Sequence, residues 1–206
     1  MNRSAILLAL IVVVSGCSTL KQLSNTVATL QQLQFKLDGV EPGTLAGVDL
    51  TKANDPSRLS TTDGLRLATA YAEQSWPLSF TVNVAARNPN DGGDAGGGGT
   101  ALLSSLAWTL AIDGKETISG DIPEPLEIPG AGRVTIIPFR MSLDLFRFFG
   151  DGGYDDLLNL ALAIAGAEGS ASRLTLTAVP SVSIAGVPVR YPGSIEIVDT
   201  RFSGGD

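Results

Sequence analysis

Apolar and polar positions alternate with a period of two through much of the chain. Leu78, Phe80, Val82 and Val84 interleave with Ser79, Thr81, Asn83 and Ala85, the signature of a half-buried strand. Leu106, Trp108, Leu110 and Ile112 repeat it against Ser105, Ala107, Thr109 and Ala111. Asp113-Gly114 follows, a dipeptide suited to the positive φ angles of a tight hairpin, and Lys115 to Ser119 reads as the return strand. Val134 to Leu145 is a long apolar strand whose Pro138 predicts an edge position or a bulge. Leu174, Leu176 and Ala178 alternate with Arg173, Thr175 and Thr177, and Val182 and Ile184 extend the pattern to an Ala185-Gly186 turn. Val187, Val189 and Tyr191 return, and Ile195 and Ile197 close the series. Phe35 to Val40 and Gly47 to Leu50 are shorter strand candidates.

Two segments change period. Ser60-Thr61-Thr62-Asp63 supplies N-cap residues ahead of Leu65, Leu67, Ala68 and Tyr71, which predicts a helix over Thr62 to Gln74. Asp155 and Asp156 open a second, very apolar helix over Leu157 to Ala165 that ends at Gly166. Many short strands with Gly and Pro turns predict a mainly β fold. The expectation is a β-sandwich over 34–206 with two short accessory helices as caps or crossovers.

The N-terminus follows a different logic. Ala5 to Val14 is an unbroken apolar run behind Arg3, much shorter than the roughly 20 residues a spanning helix needs. It reads as the h-region of a secretory signal over 1–16. Val14-Ser15-Gly16-Cys17 resembles the lipobox of bacterial lipoproteins, which makes Cys17 the expected lipidation site and the mature N-terminus. Leu20, Leu23, Val27, Leu30 and Leu33 then recur at threes and fours, predicting an amphipathic tether over 17–33.

Composition narrows the chemistry. Removing the first sixteen residues leaves 190, ample for one core. Cys17 is the only cysteine, so with its thiol acylated no disulfide or thiolate site is available. The chain has no histidine, which excludes Ser-His-Asp and Cys-His catalysis and histidine-based metal sites. Its formal charge of −7 becomes −8 once Arg3 leaves with the signal, so the composition carries no basic footprint for nucleic acid. It predicts no general attraction to anionic lipid either, leaving the acyl anchor as the membrane contact.

Three clusters invite chemical readings. Gly92 to Gly99 is glycine-rich, but Thr100 follows without the Lys of a phosphate loop, so a connector between strands is the better account. Asp91 and Asp94 lack the spacing of a calcium loop. Asp151, Asp155 and Asp156 could be read as a carboxylate pair for glycoside cleavage, yet acids before a helix are favoured by its dipole. The reading is therefore no catalytic residue, no cofactor and no metal. Trp108 lies on the apolar phase of its strand and is assigned to the core. Trp76, before Pro77 at a strand entrance, is the better candidate for the surface.

Asn88-Pro89-Asn90 ends the strand that begins at Leu78, because Pro cannot donate to a ladder and Asn readily forms side-chain turns. Here the sequence resembles the LEA type 2 family, the water-stress and hypersensitive-response domains. The pattern shared is Leu78 to Asn90, then Leu106 to Gly120, then Ile128-Pro129-Gly130 leading into Val134 to Leu145. It covers about a third of the chain; the signal, Phe35 to Leu50 and Arg173 to Val198 resemble bacterial lipoprotein members. The helices and the glycine insertion after Asn90 depart from the pattern. The resemblance implies an immunoglobulin-like or fibronectin-III-like β-sandwich and a non-enzymatic role in stress or desiccation tolerance. Two functions are expected to compete: a protective or structural envelope lipoprotein, and a module that recruits a protein, peptide or lipid through a sandwich edge or apolar patch. Ser18, where an Asp would resemble an inner-membrane retention signal, points to the outer membrane.

Overall fold

A computed structural model describes residues 33–52, 58–89, 100–166, 171–184 and 187–203. Two antiparallel sheets face each other. The first has the order β2-β1-β3-β7, from β1 (Gln34–Leu45), β2 (Val48–Asp49), β3 (Pro77–Arg87) and β7 (Val134–Asp144). The second has the order β10-β8-β4-β5, from β4 (Ala101–Ile112), β5 (Lys115–Gly120), β8 (Ala171–Ile184) and β10 (Ile195–Ser203). Two short strands complete it: β6 (Leu126–Ile128) pairs with β4, and β9 (Val187–Arg190) with β8.

The period-two pattern is what drives this arrangement. Leu78, Phe80, Val82 and Val84 of β3 meet Leu103, Leu106, Leu110, Leu174 and Leu176 of the second sheet in one core, all buried. Burying a side chain of this size contributes about 1.5–3 kcal/mol, so slipping either strand by one residue would lose several such terms together. Pro138 sits on β7, the edge of its sheet, and pairs with Asn83 in an uninterrupted register. Its place is thus an edge and not a bulge. An edge position leaves one side of the strand without ladder bonds, and Pro there blunts pairing with further strands. The Asp113-Gly114 hairpin forms with φ of 51° and 81°, as its dipeptide predicts. A second two-residue turn at Ala46-Gly47, φ 46° and 79°, joins β1 to β2. The strand expected over Gly47 to Leu50 is correspondingly short, because Leu50 opens a 3-10 turn, Leu50–Lys52.

Three helices occur among the described residues, one more than the periodicity predicts: α1 (Thr61–Ala72), α2 (Leu145–Phe149) and α3 (Tyr154–Ile164). The extra one, α2, begins at the predicted end of the long strand. Asp144 caps it, its Oδ1 accepting from the Phe146 N–H at 3.0 Å. The same carboxylate accepts from the Trp76 N–H at 2.8 Å and the Ser75 hydroxyl at 3.2 Å, tying the start of β3 to the end of β7. A five-residue helix has almost no apolar period to detect, so capping and tertiary contact decide it.

The sandwich has two distinct ends. All three helices gather at one, beside the Asp113-Gly114 hairpin, where Lys115 Nζ donates to the Phe148 carbonyl. At the other, β3 finishes at Arg87, β7 starts at Val134, and β1 starts at Gln34 opposite Arg87. The chain therefore enters the domain at the end away from the helices.

Candidate functional site

Asn88 is the first residue beyond β3 and is fully buried. Its side-chain Nδ2 donates to the Ile128 carbonyl at 3.3 Å, forty residues along the chain and at the tip of β6 in the opposite sheet. Its own carbonyl accepts from the Gly132 N–H at 2.9 Å. Gly132 and Ala131 hold φ of 69° and 59°, a backbone that Gly adopts without strain and Ala only with it. A Cβ on Gly132 would also come within 3.0 Å of the Arg87 guanidinium, so the arginine lies directly over this turn. The Asn88 side chain thus clasps one sheet to the other, a role beyond the local turn expected of it. Pro89 is exposed beside it. Asn90, the third residue of the motif, lies outside the described residues, as do Cys17, the tether before Leu33, the glycine stretch 90–99 and the Ala185-Gly186 turn.

The acidic cluster is put to structural use. Asp156 Oδ2 accepts from the Gly153 N–H at 3.1 Å, which satisfies an orphan donor at the start of α3. Asp151 and Asp156 share a cleft of about 600 Å³ with Asp113, Lys115, Phe149 and Asn159. Asp113 Oδ1 is committed to the Arg173 N–H at 2.8 Å, and Lys115 lies 5.4 Å from the Phe149 ring centroid. Among the described residues, no three Asp, Glu, Cys or His side chains gather where they could hold a metal.

Trp76 overturns its surface assignment. It is fully buried, and its indole N–H donates to the Leu67 carbonyl at 2.9 Å. Around it, Tyr71 and Tyr154 stack edge-on at 5.8 and 5.2 Å, and Phe146 meets Tyr71 at 5.6 Å. This aromatic cluster binds α1, α2 and α3 to the base of β3. Burial raises the Tyr154 hydroxyl above its ordinary value, and the charge of Asp155 adds to it. On α1, Ser60 and Asp63 form a reciprocal capping box, with hydrogen bonds of 3.1 and 3.2 Å. Bonds from the Ser60 hydroxyl and N–H hold the Asp63 carboxyl below its ordinary value.

Trp108 is core, as its strand phase requires, and packs edge-on to Phe139 at 5.9 Å. It also forms the floor of a groove of about 480 Å³ where the β7 edge faces the β5–β6 connection. Ile137, Phe139 and Leu126 line its apolar side; Glu124 and Arg140 stand at its rim. Nothing in the strand periods points to this groove. The Pro123 and Pro125 pair that walls it is visible in the sequence, but which strand it faces depends on sheet order.

No family model matches the chain, and no curated protein matches it. Two solved structures share partial likeness. A protein from Archaeoglobus fulgidus is 13% identical, covering 62% of this chain and 85% of its own, with a TM-score of 0.35. A protein from Arabidopsis thaliana, solved in solution, is 15% identical, covering 61% and 72%, with a TM-score of 0.36.

Proposed function

We propose that this protein is a lipid-anchored, non-enzymatic lipoprotein of the bacterial cell envelope, held in the outer membrane, with a protective or structural role of the LEA type 2 kind. The observation that carries the reading is Cys17, the sole cysteine, placed directly after an apolar run and Val14-Ser15-Gly16. One acyl chain anchors only marginally, whereas two or three on one residue hold durably. The use of Asn88, Asp144 and Asp156 to close the sandwich and cap helices supports a scaffold in which polar residues serve the fold. Replacing Cys17 with Ala tests it. Labelled fatty acid should attach to the wild type alone, and the variant should move from the membrane to the soluble fraction. Acylation of the variant, or a soluble wild type, would refute the anchor.

One observation favours a second reading, recruitment of a protein, peptide or lipid. The groove floored by Trp108 is of a size that binds small ligands. Crosslinking in native envelopes separates the two: a stable partner joined through β7 supports recruitment.

A further inference from the structure

Four large apolar side chains are exposed among the described residues, and three of them sit at the end where the chain enters: Val134 at 57%, Ile136 at 44% and Leu102 at 45%. The fourth, Leu65, is on α1 at the helical end. Strand register makes the first two part of a patch. Gln34, Arg87 and Val134 form one cross-strand row and Lys36, Ala85 and Ile136 the next. Both rows take the outward phase, because Leu37, Val84 and Ile137 take the inward one, and Ala85 is itself buried in the middle of its row. Arg133, also exposed, precedes Val134. Leu102 occupies the opposite rim of the same end, across from Glu127. Asp38, in the bulge of β1, is the carboxylate next to Lys36 along that strand. At the helical end the balance reverses, with Asp113, Glu116, Asp151, Asp155 and Asp156 against Lys115, Arg147 and Arg173. Among the described residues, Lys36, Arg87 and Arg133 thus outnumber Asp38 and Glu127 at the entry end, a cationic excess beside apolar side chains in an acidic chain.

We propose that this end docks on an anionic bilayer surface, Val134 and Ile136 entering the headgroup layer while Lys36, Arg87 and Arg133 meet lipid phosphates. The inference rests on the anchor reading and deepens it. Residues 17–32 are the sixteen that join Cys17 to Leu33, where the described chain begins at this same end. They reach about 24 Å as a helix, or at most about 55 Å extended. With the tether helical, as its apolar spacing predicts, an acylated Cys17 keeps this end within about 24 Å of the lipid. The eleven residues of β3 set the helical end about 36 Å further out. Tethering makes docking intramolecular, at millimolar effective concentration, so a few apolar side chains and cations suffice where they would be too weak alone. Attraction to a protein partner would need no such coincidence with the tether.

The test uses the acylated full-length protein in vesicles of neutral phosphatidylcholine or of the same lipid with phosphatidylglycerol. Cys17 is blocked by lipid, so Val134→Cys and Leu65→Cys each give one labelling site for an environment-sensitive fluorophore. The Val134 label should shift to the blue and be quenched by nitroxide-bearing headgroups in anionic vesicles, while the Leu65 label stays in water. Lys36→Gln with Arg133→Gln, both exposed, should lower the docked-to-free ratio on the order of thirtyfold with acylation and circular dichroism unchanged. Equal behaviour of the two labels on anchored protein would overturn docking and leave the anchor standing. If mass spectrometry finds Cys17 without lipid, the anchor fails separately. The tether is then restored artificially, with Cys17→Ser and a polyhistidine segment before residue 17 held by nickel-chelating lipid: a Val134 shift in anionic vesicles alone supports docking, and equal behaviour of the two labels overturns it.

Discussion

Replacing Asn88 with Ala removes the side-chain clasp and keeps the backbone bond from Gly132 to the residue 88 carbonyl. What is lost is a donor to a carbonyl in a dry place, since Ile128 and Asn88 are both fully buried. An orphaned buried acceptor costs about 1–3 kcal/mol, well above the net value of an average hydrogen bond. The amide also leaves a small void. We expect a loss of about 2 kcal/mol, which in a domain of this size lowers Tm by about 4–8 °C. Urea unfolding should show a lower midpoint at unchanged slope, the mark of lost stability without a changed unfolded state. Asn88→Asp keeps the shape and lacks the donor, so at neutral pH it should fall at least as far as Ala. A loss below about 0.5 kcal/mol for Ala, or an Asp variant as stable as wild type, would refute the clasp.

Trp76→Phe should cost on the order of 1–3 kcal/mol by leaving the Leu67 carbonyl without its indole partner, read by thermal unfolding. Gly120→Ala places a Cβ 2.5 Å from Cζ2 of Trp108, and overpacking of this kind should destabilise by about 1–3 kcal/mol and alter Trp108 fluorescence. Asp63 has a depressed folded pKa, so its stabilisation is full above its unfolded value and disappears as pH falls through the folded one. Asp63→Asn should accordingly be less stable than wild type at neutral pH, with the gap closing below about pH 4 in denaturant titrations.

Much of the fold is legible in the sequence because its causes are local. Alternation of Leu78 to Ala85 and Ser105 to Ile112 declares strands with one buried face, and the same alternation places Trp108 inside. Asp113-Gly114 declares its turn, Pro138 an edge or a bulge, and the run Ser60 to Asp63 the start of α1 to within one residue. Each depends on residues a few positions apart, where period, φ preference and capping act without reference to the rest of the chain. The lack of histidine and the single Cys17 likewise bound the chemistry through composition alone.

Tertiary structure decided the rest, where the partner lies far along the chain. Trp76 next to Pro77 looks like a loop aromatic, and only the convergence of α1, α2 and α3 buries it. Asn88 looks like a local turn residue, but its amide reaches a carbonyl forty positions away because β3 and β6 end together. Net charge hides the uneven ends of the sandwich, since charge counts carry no positions. Lys36, Arg87, Arg133 and Val134 become one surface only when β1, β3 and β7 are set in register. Strand order and register are settled by cooperative burial over the whole core, and no local window contains that sum.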